Sequence, residues 1–457
     1  MNKQPLIKKR EPFKDHDYYH LFTQIDTKAH FDYQTYTLHI NDIEKSAGEA
    51  ASIHLSKKPT SKISNKEYFL IAEALNLIIH EYTHFIDFSS SLFGLEHLNK
   101  LAAAAAAQRL EYTDEMAFYP AKQYADYLRT LRPSKYYDEK HNLNIPRDRW
   151  GAVSSSGVIF NSSGKPSTRP IMFVRFMTPD QLQIARAPIS VVSILEASAI
   201  SQELLAGLDL IENSEDPEIK YKDITEKNID FLYDARFTDY SVCAHLVANQ
   251  LACKDFLLVA RIIATLTRIV LNTPPSVFED ICRSIEKTPY FINLKYKSEA
   301  EIIIKKRIRN ALKFRDFGAL FLLLVRCMPE PPNSAAQFKE FIATTLLKAG
   351  FKQDWAEKSK VHAKQLLRTV ESFELPHLTK LASCGVKNYM TLMGSGHQID
   401  FNKMHLPPCY VARDTDVLSV FNAENNELAG LDIEEMYELG GKTELWVGKI
   451  ESACLNF

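Results

Sequence analysis

The sequence predicts an α+β fold that is predominantly helical and includes a small sheet. Apolar residues recur at helical spacing through residues 71–86. Residues 256–395 carry a helical pattern almost throughout, with breaks at the prolines 274 and 275 and again at 329–332. Residues 150–177 instead show two β-like runs on either side of a turn, which is the pattern of a hairpin. These three observations predict a mixed region followed by a helical one.

The composition is that of an ordinary globular protein. Hydrophobic residues make up 46% of the 457 residues and charged residues 25%, so disorder is excluded as the dominant state. The length suffices for two or three domains. The net charge of −2 gives no overall field that would recruit nucleic acid or an anionic membrane. We therefore expect no nucleic-acid partner.

We expect four segments along the chain. They are an N-terminal β-containing segment at 1–60, a mixed domain at 61–255, a helical domain at 256–395, and a mixed C-terminal segment at 396–457.

The individual elements follow from local patterns and turn residues. Residues 36–40 and 51–56 are β-like and are predicted to pair as strands, with 41–49 as their connection. The next elements are an alanine-rich helix at 98–109, a helical stretch to residue 130, hairpin strands at 150–160 and 171–177 around a turn at 161–166, and a helix at 190–208.

One short motif carries chemistry: His80, Glu81, Tyr82, Thr83 and His84. On a helix, residues four apart lie about 40° apart around the axis and one turn along it, so both imidazoles can reach one metal ion. The glutamate is rotated by about 100° from the first histidine and can reach a water molecule on that metal. Zinc lowers the pKa of such a water, and a carboxylate can take its proton.

The residues around the motif predict a buried helix with two different sides. Glu73, His80, His84 and Asp87 fall together on one side of the helical wheel. The opposite side is broad and apolar, which is typical of a helix packed into a core with its polar stripe facing a cleft. The apolar side consists of Ile71, Ala74, Leu75, Ile78, Tyr82, Phe85 and Ile86.

At these residues the chain resembles the zincin metallopeptidases, over some fifteen residues. The resemblance implies a zincin-like α+β catalytic domain at 61–255, with His80 and His84 as zinc ligands and Glu81 as general base. It also implies a sheet edge that holds an extended substrate. No glycine and third histidine follow His84, so the resemblance points to a carboxylate as third ligand, as in gluzincins.

Three glutamates are candidates for that third ligand. Glu196 lies in an apolar helix, where a buried carboxylate needs a partner such as a metal ion. The small residues 197–199 would let this helix approach the motif helix, and the pattern around Glu196 resembles the glutamate helix of gluzincins. Glu111 and Glu115 have a more conventional spacing from His84, but their neighbours are polar. Glu196 is preferred, Glu111 and Glu115 stay as alternatives, and Asp87, which shares the side of the motif helix that carries the histidines, is a further one.

Supporting roles can also be assigned from the sequence. Asp87 or Glu203 could orient a ligand histidine. Tyr233, Tyr240 or His245 could donate a hydrogen bond to a developing oxyanion. His54 and His97, like His245, could extend a metal site, although a single histidine is usually structural.

The cysteines indicate the compartment. Seven are scattered without a C-x-x-C pair, which fits neither a disulfide framework nor a zinc ribbon. We therefore expect a cytoplasmic protein. We also expect no secretory signal and no membrane span, because the most apolar runs, 256–271 and 317–328, fall short of about 18 uncharged residues.

The predicted function is that of an intracellular zinc metallopeptidase, an endopeptidase acting on protein or peptide substrates. Two alternatives stay open. One is a zinc-binding regulatory or interaction protein with a non-catalytic zincin-like core, and the other is a metal hydrolase acting on a non-peptide amide.

Overall fold

The computed structural model describes residues 28–453. The gaps in that description are 57–60, 109–117, 132, 134–135, 140–149, 161–163, 293–298, 414 and 422–424. The described chain is mostly helical with two small sheets, which confirms the prediction of a predominantly helical α+β fold.

The described residues contain sixteen α-helices and eight strands. The strands are β1 (Ala29–Asp32), β2 (Thr37–Ile40), β3 (Asp138–Glu139), β4 (Gly151–Phe160), β5 (Pro166–Met177), β6 (Gln183–Pro188), β7 (Cys409–Val411) and β8 (Asp416–Leu418). The helices are α1 (Lys45–Ser56), α2 (Asn65–Ser89), α3 (Leu92–Gln108), α4 (Phe118–Leu131), α5 (Val191–Glu212), α6 (Pro217–Leu232), α7 (Thr238–Leu251), α8 (Phe256–Leu271), α9 (Pro275–Ser284), α10 (Pro289–Ile292), α11 (Glu299–Lys313), α12 (Phe317–Cys327), α13 (Ala335–Ala349), α14 (Trp355–Glu371), α15 (Pro376–Gly394) and α16 (Ile433–Ala453).

The first sheet joins the two ends of the described chain. Its order is β1-β2-β7-β8, with β2 antiparallel to β1 and parallel to β7. All four residues of β2 are buried, because α2 and α16 both pack against this strand. The strand predicted at 36–40 is thus present, and its second neighbour comes from the C-terminal part of the chain.

The predicted pairing of 36–40 with 51–56 is wrong, because residues 51–56 belong to helix α1. The buried residues of α1 are Ala47, Gly48, Ala51 and Ser52, and this spacing is helical rather than alternating. A β-carbon on Gly48 would lie 2.8 Å from Leu418 Cδ2 of β8, so the helix packs closely on the sheet. Small residues at helical spacing therefore outweighed the local β-like pattern.

The second sheet contains the predicted hairpin. Its order is β3-β6-β5-β4, and β4 pairs antiparallel with β5 from Gly151 opposite Met177 to Phe160 opposite Pro166. Residues 161–163 of the predicted turn lie outside the described residues. Strand β6 leads almost directly into α5, so this sheet fixes where α5 begins.

Helices α2 and α5 pack along one another in the middle of the fold. Helix α2 begins with a capping box between Ser64 and Glu67, and α5 begins with Ser190, whose side chain accepts from the Ser193 amide. All seven residues of the predicted apolar side of α2 are buried. Every residue from Ile78 to Ser89 is buried as well, so this end of α2 is enclosed on all sides.

Helix α5 is also long and apolar enough to cross a membrane by length and composition alone. In the structure it packs against α2, α7 and α8. Of its most apolar stretch of 18 residues, 67% is buried inside the protein. A core helix passes the same test of length and composition, so the expected absence of a membrane span stays a prediction.

The start of α5 depends on one close contact with α12. A β-carbon on Gly318 would lie 1.8 Å from the carbonyl oxygen of Ile189, two residues before α5. We expect Gly318→Ala to lower the free energy of unfolding by about 3 kcal/mol, because the backbone must move to admit the methyl group. Denaturant unfolding measures the loss. The matched control is Gly441→Ala in α16, where nothing lies within 4 Å of the added carbon. An equal loss in both variants would contradict the steric explanation.

Candidate metal centre

The two histidines of the motif meet on one side of α2. Because they lie one turn apart, their rings approach edge to face, with centroids 4.8 Å apart. The Nε2 atoms are 3.2 Å apart. The two nitrogens therefore point to the same place.

Glu196 of α5 supplies a third donor at that place. Its Oε2 atom lies 3.4 Å from His80 Nε2 and 3.6 Å from His84 Nε2. In a tetrahedral site with bond lengths near 2.1 Å, neighbouring donors are about 3.4 Å apart. The three observed edges match that spacing, and we call His80, His84 and Glu196 the donor triangle. This buried group could bind a metal ion.

The donor triangle is almost inaccessible to solvent. The side chains of His84 and Glu196 are each 2% exposed, and that of His80 is 11% exposed. Burial raises the pKa of the Glu196 carboxyl, but the two facing imidazoles outweigh burial and lower it to about 2. Burial lowers the pKa of His80, but Glu196 and Glu203 raise it well above its ordinary value. An ionised carboxylate thus faces two imidazoles in a dry interior, where its charge needs a positive partner, either a proton on His80 or a metal ion.

Glu203 orients the first histidine. Its Oε2 atom is 3.3 Å from His80 Nδ1, on the ring edge away from the triangle. A proton on Nδ1, donated to this carboxylate, leaves the Nε2 lone pair free for a metal. The sequence proposed this role for either Asp87 or Glu203, and the structure gives Glu203 the geometry for it.

Asp87 lies deeper, one turn after His84, and is 1% exposed. Burial raises its pKa, whereas Arg268, Ser198 and His84 each lower it. Its closest described charged partner is Arg268, with Nη2 3.9 Å from Oδ1. The charges of Asp87 and His84 therefore interact.

Glu81 is buried beside the triangle without belonging to it. It is 3% exposed, and its charge contributes to the raised pKa of His80. The group of potential ligands consists of His80, His84 and Glu196. This is the separation of positions that a rotation of about 100° around the helix predicts.

Comparison of this chain with protein families, with curated proteins and with solved structures finds no match.

The other predicted histidines lie in structural surroundings. His97 Nε2 is 3.1 Å from the Tyr33 carbonyl oxygen inside a cluster of aromatic rings, and burial lowers its pKa to about 3. His245 Nε2 is 2.9 Å from the carbonyl oxygen of Leu232. His54 faces Asp209 at 3.9 Å. None of these three histidines belongs to the donor triangle.

The remaining candidates are the predicted oxyanion donors and the two glutamates that are alternative third ligands. Tyr233 packs on Trp150 and His245, and Tyr240 packs on Phe231 and Phe237. Their role as oxyanion donors stays a prediction, as does that of His245. Glu111 and Glu115 lie outside the described residues.

One residue near the site escaped the sequence argument. Arg268 of α8 is 1% exposed and reaches both Asp87 and Ser198. The available signal was an arginine flanked by apolar residues in a largely apolar helix, since such a charge needs a partner if it is buried.

Proposed function

We propose that this protein is a zinc-dependent metallopeptidase with a zincin-like catalytic domain. The observation that carries the proposal is the convergence of His80, His84 and Glu196, with donor atoms 3.2 to 3.6 Å apart in a buried place. Two imidazole nitrogens and one carboxylate oxygen form the protein ligand set of many catalytic zinc sites, which keep a fourth position open. That donor set is the reason for proposing zinc.

The catalytic assignment follows from Glu81. When bound, zinc would lower the pKa of a water molecule and polarise a substrate carbonyl. Glu81 would then take the proton of the attacking water and pass it to the leaving amine. Glu203 would keep His80 in the tautomer and orientation that binding needs. The substrate class, protein or peptide, rests on the resemblance of the motif to zincins.

The proposed compartment is the cytoplasm. The six cysteines in the described residues are free, which agrees with a reducing environment. Cleavage of cytoplasmic proteins is accordingly the activity to test.

The experiment that tests the proposal compares cells expressing the wild type with cells expressing Glu81→Gln. Terminal-peptide proteomics should reveal new cleavage sites in the wild type alone, together with the substrate. If both proteins bind zinc and neither produces new termini, the chain is instead a zinc-binding regulatory protein or acts on a non-peptide amide.

Zinc should also stabilise the folded protein. At free zinc a thousand times the dissociation constant, we expect a gain of about 4 kcal/mol, because only the folded chain brings the three donors together. The midpoint of thermal unfolding, measured after chelation and after zinc is restored, reports the gain. His84→Ala is the control and should show no zinc-dependent shift. A shift of equal size in that variant would place the stabilising metal elsewhere.

A further inference from the structure

A buried guanidinium lies beside Ser198 and Asp87, on the two helices that carry the donor triangle, and these two side chains also interact with each other. Arg268 Nη2 lies 3.4 Å from Ser198 Oγ and 3.9 Å from Asp87 Oδ1. Ser198 is two residues after Glu196 on α5, and Asp87 is three residues after His84 on α2. The contact is therefore made one turn or less from two corners of the triangle, by a third helix, α8.

The arrangement is costly for stability alone. Arg268 and Asp87 have side chains 1% and 2% exposed, so both charges have lost their hydration. Nε and Nη1 of Arg268 form no hydrogen bond with the part of the chain that the structure describes. The desolvation cost of burying two charges can exceed their mutual attraction unless they are well paired and fully hydrogen-bonded. Apolar side chains of similar size often give the same or greater stability at such a place. A role beyond packing is the simpler explanation of this arginine.

The electrostatic situation of Asp87 agrees with such a role. Asp87 lies close enough to His84 for their charges to interact, and Arg268 of α8 lies 3.9 Å from the Asp87 carboxylate. A fixed negative charge near a ligand imidazole favours a positive charge at that imidazole, whether a proton or a metal ion. The position of the Asp87 carboxylate depends on its contact with Arg268.

We propose that Arg268 is a positioning residue of the metal centre, which holds Asp87 and Ser198 and thereby sets the separation of His84 and Glu196. The inference rests on the proposed function insofar as the centre binds zinc. It also gives α8, the first helix of the predicted helical domain, a part in the site.

The test is metal binding by the full chain, with zinc alone and with cobalt(II) as a spectroscopic probe. Arg268→Met should weaken zinc binding by up to about 10-fold, the lower end of the effect of losing a direct partner of a ligand, because Arg268 acts through Asp87 and Ser198. It should also change the visible spectrum of the cobalt form, because the ligand geometry relaxes. Arg261→Met is the matched control, since Arg261 is exposed on the same helix. That variant should bind both metals like the wild type.

A second variant separates positioning from simple stability. The double substitution Arg268→Met with Asp87→Asn removes both buried charges, so its unfolding midpoint should return close to that of the wild type. Its zinc affinity should remain weakened. Wild-type affinity and an unchanged cobalt spectrum in the double variant would overturn the positioning role. Failure of the wild type itself to bind zinc would instead overturn the proposed function.

Discussion

Glu81→Gln is expected to lower kcat for peptide hydrolysis by about 10²- to 10⁴-fold, the usual contribution of a general base. Glutamine has nearly the same shape but cannot accept the proton of the attacking water. Because Glu81 does not belong to the donor triangle, the zinc content should stay equal to that of the wild type. Steady-state kinetics on a peptide identified from the cellular cleavage sites, together with elemental analysis, measures both quantities.

The matched control for this substitution is Glu73→Gln on the same helix. Glu73 forms an exposed ion pair with Lys28 at 2.7 Å, two turns before His80. An exposed pair of this kind contributes little, so activity and zinc content should both be retained. Undiminished cleavage by Glu81→Gln would contradict the proposed base. Loss of zinc in that variant would show that Glu81 supports the metal instead.

Glu196→Gln is expected to abolish stoichiometric zinc binding, and with it all peptide hydrolysis. The amide keeps the volume of the side chain but removes the negative charge, and one corner of the triangle loses its strongest attraction for a cation. The loss of affinity should exceed the roughly 10- to 100-fold that follows removal of a supporting residue. Isothermal titration with zinc, supported by elemental analysis, gives the affinity and the stoichiometry.

Two further variants on α5 calibrate that result. Glu203→Gln should weaken zinc binding by about 10- to 100-fold and no more, because it touches the Nδ1 edge of His80. Glu212→Gln, exposed at the end of the same helix, should have no effect. If Glu196→Gln still binds one zinc with wild-type affinity, the third ligand lies elsewhere, and Glu111 and Glu115 are the first alternatives.

Much of the fold around the site could be predicted from local patterns. The apolar side of α2, its buried motif, the hairpin β4–β5 and the extent of α5 all follow from periodicity, turn residues and caps within short windows. These signals are local because side chains return to the same side of a helix or strand every few residues. A short stretch of sequence therefore contains the whole pattern. The same reasoning failed at α1, where small residues satisfy a helical as well as an alternating pattern.

For the donor triangle too, local sequence predicts some features and not others. The spacing of His80 and His84 by itself determined that two imidazoles share one side of α2, since residues four apart on a helix must be neighbours. The apolar surroundings of Glu196 marked it as a buried carboxylate in need of a partner. Neither signal could say that the two helices pack together at this level.

The tertiary structure alone decided which distant groups complete the centre. It brought the Glu196 carboxylate within 3.6 Å of both histidines and placed Glu203 beside His80. It also placed Arg268 beside Asp87 and Ser198, on the two helices that carry the triangle. It also paired β2 with β7 from the other end of the described chain. Contacts of this kind join residues far apart in sequence, at a cost in loop-closure entropy. No local repeat in the sequence encodes them, so they cannot be predicted from periodicity. The sequence by itself determined that two histidines and Glu81 lie on one helix, whereas packing decided which residues they face.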